Sequence, residues 1–149
     1  YGRFYCLAAP EADHGGSWMV VSKDRQRAAV LEMTGLLQPN ASMPPLRLAG
    51  LEETYCYQVS LRQQSVELDS FRTLLNHVLP LKLKADGMLV HLAGERYQMP
   101  CEQITFTASG DLLMHAGLRP PQRFCGTGYT DGVRPMPDFS ARIWLLESN

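Results

Sequence analysis

Apolar residues in this chain recur with a period of two, in short runs set apart by turn-forming residues, and that pattern points to a mainly β fold. Residues 17–23 carry Trp18, Met19, Val20 and Val21, apolar on both faces, as in a central strand. Residues 27–37 alternate, with Ala29, Leu31 and Met33 on one face and Glu32 and Thr34 on the other. The polar run Lys23, Asp24, Arg25 and Gln26 lies between them, so the two stretches read as a hairpin. Pro39, Asn40, Pro44 and Pro45 then break the chain. Residues 46–49 and 54–61 are predicted strands around the turn at Gly50, with Tyr55, Tyr57 and Val59 sharing a face. Stretches 88–92, 103–107 and 141–146 complete the set, together with 1–9 at the start. Short strands with turn signals roughly every 8–12 residues predict an antiparallel, Greek-key-like β-sandwich.

One segment has a different period. Phe71, Leu74, Leu75 and Val78 fall at i, i+3, i+4 and i+7, which predicts one short helix, capped by Asp69 or Ser70 and stopped by Pro80. The stretch Leu74-Leu75-Asn76-His77 is echoed by Leu112-Leu113-Met114-His115, and we read the pair as equivalent turns at strand entries. With 149 residues the chain is one domain in length, and 45% hydrophobic content suffices for one core. The first residue is Tyr1 rather than Met and a strand pattern starts at once, so we expect an excerpt of a longer chain.

Charge excludes some partners. The formal net charge of -1 comes from 14 basic and 15 acidic residues, scattered without a basic block, which argues against nucleic acid. No apolar run approaches the roughly 18 residues of a membrane-spanning helix, and no membrane partner is expected. Cys6, Cys56, Cys101 and Cys125 match no zinc spacing and include no Cys-x-x-Cys pair. Reduced thiols in a cytoplasmic protein are the expectation, with Cys6 and Cys56 buried inside apolar strands.

No catalytic constellation emerges. His14, His77, His91 and His115 have no metal-ligand spacing, and a metal site would have to assemble from distant loops. There is no Gly-x-Ser-x-Gly elbow, and Ser22, Ser60 and Ser140 lie at predicted strand ends. Glycoside hydrolysis needs two carboxyl groups about 5–10 Å apart. Glu52 and Glu53 are adjacent on a turn and would diverge, and Asp131 and Asp138 flank a loop that reads as solvated. The glycine-rich run from Gly126 to Gly132 lacks the Lys-Ser/Thr of a phosphate loop. Arg123 and Arg134 border it and would pair with its acid or with another domain. Trp18, Trp144, Tyr55, Tyr57 and Tyr129 would stack on sugar rings if they faced solvent together. Both tryptophans lie in doubly apolar runs, so core packing is the expectation for them.

Four stretches, in order, resemble the C-terminal domain of family thirty-six glycoside hydrolases, the bacterial α-galactosidases. They are SWMVVSKDRQRAAVLEM at 17–33, PLRLAGLEETYCYQV at 45–59, SGDLLMHAGL at 109–118 and FCGTGYTDGVRPMPDFSARIWLLE at 124–147. In the third, Gly110, Asp111, Leu112, Met114, Gly117 and Leu118 carry the likeness. In the fourth, Phe124, Gly126, Thr127, Gly128, Tyr129, Arg134, Asp138, Phe139 and Ser140 resemble the closing loop and strand of one bacterial branch. NHVLP at 76–80 is similar to the same branch.

The resemblance implies a parent with an N-terminal β-domain, a central (β/α)₈ barrel and this C-terminal β-sandwich. It implies retaining hydrolysis of raffinose- and melibiose-type α-galactosides, by an aspartate nucleophile and an aspartate acid/base on barrel strands, without metal or cofactor. Neither aspartate motif is present here, so no residue of this chain inherits a catalytic role. The implied partners are the parent's own barrel, further copies in an oligomeric parent, and an α-galactoside bound elsewhere. We expect a non-catalytic accessory domain that stabilises the barrel, with 124–137 covering part of the barrel or a subunit contact. The alternatives are a stand-alone carbohydrate-binding β-sandwich, which needs coplanar exposed aromatics, and a free-standing interaction module.

Overall fold

The computed structural model describes residues 2–11, 15–36, 44–62, 104–120, 123–124, 134–135 and 139–148. Its main feature is a six-stranded antiparallel sheet built from β1 (Arg3–Glu11), β2 (Gly15–Val21), β3 (Arg27–Met33), β4 (Cys56–Leu61), β5 (Thr105–Ser109) and β8 (Ala141–Ser148). The spatial order is β1-β2-β3-β8-β4-β5. Two short strands, β6 (Arg123–Phe124) and β7 (Arg134–Pro135), pair in parallel outside it. The fold is mainly β, as expected. The predicted helix at Phe71–Val78 and the predicted strand at 88–92 lie outside the described residues.

The β2–β3 hairpin forms where its polar run predicts. Ser22 N–H donates to Arg27 O at 2.8 Å, and Gln26 N–H donates to the Asp24 carboxylate at 3.1 Å. This is an Asx-type turn, with Arg25 in the left-handed region at φ 59°. The Ser22 hydroxyl, and after it the Gln26 N–H, hold the Asp24 carboxyl below its ordinary range.

One face of the sheet is the core. Tyr57 and Val59 of β4, Met19 and Val21 of β2, Ala28 and Val30 of β3, and Trp144 and Leu146 of β8 all bury there. Glu32 and Thr34 are on this face too, opposite to Ala29, Leu31 and Met33 as the alternation predicts, so the polar side of this strand is the inner one. The reason is the ladder: Glu32 sits opposite Arg142 of β8, and its carboxylate takes two hydrogen bonds from that guanidinium, at 2.6 and 2.9 Å. Arg142 is fully buried, with its guanidinium carbon 5.9 Å from the centroid of the Trp144 ring. An apparently polar face is therefore an internal one, neutralised across two strands.

A second layer covers the core face. The predicted strand at 46–49 is reduced to a single bridge, Leu46 to Leu118, because this segment pairs with a helix exit rather than with another strand. Leu48 and Leu51 bury beside Leu113 and Leu118. The predicted strand at 54–61 starts only at Cys56, and that at 103–107 is shifted to Thr105–Ser109.

The echo at 112–115 is not a strand-entry turn but part of helix α1 (Gly110–His115). Ser109 Oγ accepts from Leu112 N–H at 3.3 Å as its N-cap, and Gly117, at φ +87°, turns the chain out of it. The first N–H groups of α1, which no helix can satisfy internally, donate to Tyr55 O at 2.9 Å and Glu53 O at 3.3 Å. Gly50, at φ +72°, carries no side chain because Tyr5 lies directly over it.

Tyr57 ties the two layers together. Its buried hydroxyl donates to Arg25 O at 2.7 Å and accepts from Glu52 N–H at 3.0 Å. Arg25 Nη1 meets the Glu52 carboxylate at 2.9 Å outside it. Burial pushes the Tyr57 phenol above its ordinary value of 10.0. The folded chain thus keeps this proton to higher pH than the unfolded chain. Stability is full below that ordinary value and falls as pH rises through the folded one.

Two predictions follow from these contacts. Tyr57→Phe is expected to cost about 1–3 kcal/mol in urea unfolding, because it strands a carbonyl and an N–H, and to flatten the alkaline loss of stability above pH 10.0. Glu32→Ala is expected to cost about 3–5 kcal/mol, and the double change Glu32→Leu with Arg142→Met to cost much less. Equal losses in the single and double variants would show that the buried charge is not what the substitution exposes.

Candidate functional site

The side chains that alternate with the core point to the opposite face of the sheet. Across β1, β2, β3 and β8, one row runs Phe4, Val20, Ala29 and Leu145, and the next runs Cys6, Trp18, Leu31 and Ile143. The rows are apolar and partly open: Phe4 is 65% exposed, Val20 47% and Leu145 41%, whereas Ala29, Trp18, Leu31 and Ile143 are half-buried. Met33 extends the patch along β3. Over β4 and β5 the same face turns polar, with Gln58, Ser60, Thr105 and Thr107, and Arg27 opposite Glu147 closes one end. This face therefore has an apolar centre and a polar border, unlike a sheet face whose apolar residues are scattered singly.

This placement corrects two expectations. Cys6 and Cys56 are free but exposed, because Tyr5 and Tyr57 take the inward positions and turn their neighbours outward. Trp18 is half-buried on the outer face, and only Trp144 is in the core. Of the other candidate sugar-stacking aromatics, Tyr57 is buried, Tyr55 is exposed just before β4, and Tyr129 lies outside the described residues. The candidates are thus split between faces and do not form one platform.

The remaining polar candidates are accounted for by local structure. Glu52 is engaged by Arg25, whereas Glu53 points to solvent. His115 Nδ1 lies 3.0 Å from the Asp111 carboxylate one turn earlier on α1, an exposed pair at the surface. Ser22 serves the hairpin turn, Ser60 sits within β4, and Ser140 precedes β8 with its hydroxyl buried. Backbone pairing brings Arg123 and Arg134 into register as β6 and β7. His14, His77, His91, Asp131, Asp138 and the run from Gly126 to Gly132 lie outside the described residues. Among the described residues no group of three or more His, Cys, Asp or Glu is placed to hold a metal ion.

Fold and surface together define a β-domain whose sheet has one covered face and one partly open apolar face. The chain belongs to the family described as "Glycosyl hydrolase family 36 C-terminal domain", whose model matches residues 16–146. It is 37% identical over 59 residues to the alpha-galactosidase AgaA of Geobacillus stearothermophilus, a match covering 40% of this chain and 8% of that protein. Among solved structures it is similar to AgaB from the same organism, with a TM-score of 0.54 and 23% identity over 100% of this chain and 13% of that one. The alpha-galactosidase of Lactobacillus brevis matches with a TM-score of 0.54 and 22% identity over 100% of this chain and 14% of that one. The chain thus spans only a small part of the α-galactosidases it matches.

Loss of the outer patch is testable on the chain itself. Replacing Phe4 and Leu145 together by Asp is expected to leave the unfolding free energy within about 1 kcal/mol, since exposed positions contribute little. A much larger loss in urea unfolding would mean that these residues belong to the core.

Proposed function

We propose that this chain is the non-catalytic C-terminal domain of an α-galactosidase acting on terminal α-galactosides of the raffinose and melibiose type. Its role in that enzyme is to bind and stabilise the catalytic barrel through the apolar outer face of β1, β2, β3 and β8. Family membership supports the identity of the parent, and structures of AgaA in complex with stachyose and with raffinose support the substrate class. The observation that carries the docking role is the division of one sheet face into an apolar half and a polar half. Patches of this kind are costly in water and gain about 25 cal/mol per Å² when covered. The two free thiols fit a cytoplasmic parent.

The paired cysteines give the test an internal control. Cys6 lies within the apolar rows, whereas Cys56 lies on β4, where that face is polar, and both are exposed here. In the intact parent enzyme, a thiol reagent is expected to label Cys56 readily and Cys6 slowly. Labelling of both at the same rate would sink the docking assignment. The 149-residue chain alone is expected to release no galactose from raffinose under conditions in which the parent does. Measurable release would end the non-catalytic reading.

A further inference from the structure

At one end of the buried layer, three buried hydroxyls lie beside the Glu32–Arg142 pair. Ser17 of β2 is directly opposite Glu32 of β3, and Glu32 is opposite Arg142 of β8. Thr34 follows Glu32 by two residues, and its N–H donates to Ser140 O at 2.8 Å, which sets Ser140 beside it and two residues before Arg142. Five polar side chains therefore occupy neighbouring positions on three adjacent strands. The hydroxyls of Ser17, Thr34 and Ser140 are all buried, and none of them makes a hydrogen bond among the described residues. The Trp144 indole N–H, farther along the same face of β8, is a fourth buried donor without a partner.

Single orphans of this kind are rare in folded proteins, and three together call for a ligand. We propose that this end of the layer is an internal hydration site, in which ordered water bridges the Ser17, Thr34 and Ser140 hydroxyls beside the Glu32–Arg142 pair. Each hydroxyl offers one donor and two acceptor positions. A buried water typically makes about three hydrogen bonds, and Thr34 opposite Ser140, with Ser17 on the next strand, offers hydroxyl partners for it.

A crystal structure of the full-length protein, at a resolution that places waters, tests this directly. Density is expected within hydrogen-bonding distance of at least two of the three hydroxyls. An empty site, or hydroxyls turned onto protein carbonyls, overturns the inference. Thr34→Val supplies a second readout, because it keeps the shape and removes one water ligand. With water bound it is expected to lower the melting temperature by about 2–4 °C. With a dry site it removes only an orphan, so an unchanged or raised melting temperature overturns the inference too. Should Thr34→Val not fold, Ser17→Ala is read by the same two measurements.

Discussion

β8 makes ladders on both of its edges, with β3 on one side and β4 on the other, and in the sheet these are the contacts that join β1–β2–β3 to β4–β5. Its inward residues are therefore the most heavily constrained: Arg142 against Glu32, Trp144 between Val30 and Leu61, and Leu146 between Ala28 and Val59. Partners in the ion pair are 110 residues apart in sequence. Such long-range pairing costs chain entropy before any contact rewards it, so the completed sheet is a late event in folding. A buried ion pair adds little net stability over an apolar substitute. What it adds here is discrimination, since a shift of β8 by two residues would set Glu32 against Ser140 or Trp144 and leave the guanidinium unpaired.

The second layer depends on the first through a different kind of bond. A six-residue helix is far below the length that is stable alone in water. α1 persists because Leu113 is buried in the core and because the turn at 52–55 hands its free carbonyls to the helix N-terminus. That turn is in turn fixed by the Tyr57 hydroxyl and by Arg25 from the far hairpin. Disturbing any one of the hairpin, the turn or the helix strands backbone groups in the other two. This explains why residues with no shared local pattern, Arg25, Glu52, Tyr57 and Gly110, act as one unit.

The sequence made the strands legible because period two is a local property. The hairpin at Lys23–Gln26 was readable for the same reason, since Asp24 closes its own turn. What pairs with what was not readable: nothing in 27–37 says that β8 will lie beside it. Hence the alternation separates Glu32 and Thr34 from Ala29, Leu31 and Met33, but does not say that a distant arginine makes the polar side the internal one. α1 was missed although Ser109 and Gly117 carry its cap signals, because one turn of apolar residues has too few repeats to show a period. The resemblance at 109–118 and 124–147 located the family, but a likeness of motif does not state which face of a strand is covered. The docking patch was hidden for that reason. Trp18 to Val21 looked like a strand buried twice over within its own domain, whereas here one side is core and the other is open.

The two faces of β3 show how the sheet's sense of inside and outside is set. Ala28, Val30 and the charged Glu32 point inward, whereas Ala29, Leu31 and Met33 point outward with Arg27 at the end, so both faces of this strand are largely apolar. That arrangement is unstable as a free surface and economical as an internal layer, as in sheets covered on both faces. The Glu32–Arg142 pair fixes the register of β3 against β8 from the core side, and with it the outer alignment of Ala29 with Leu145 and Leu31 with Ile143. Under the proposed docking role, the buried charges and the outer apolar rows would answer one requirement, a sheet whose outer face is aligned before it is covered.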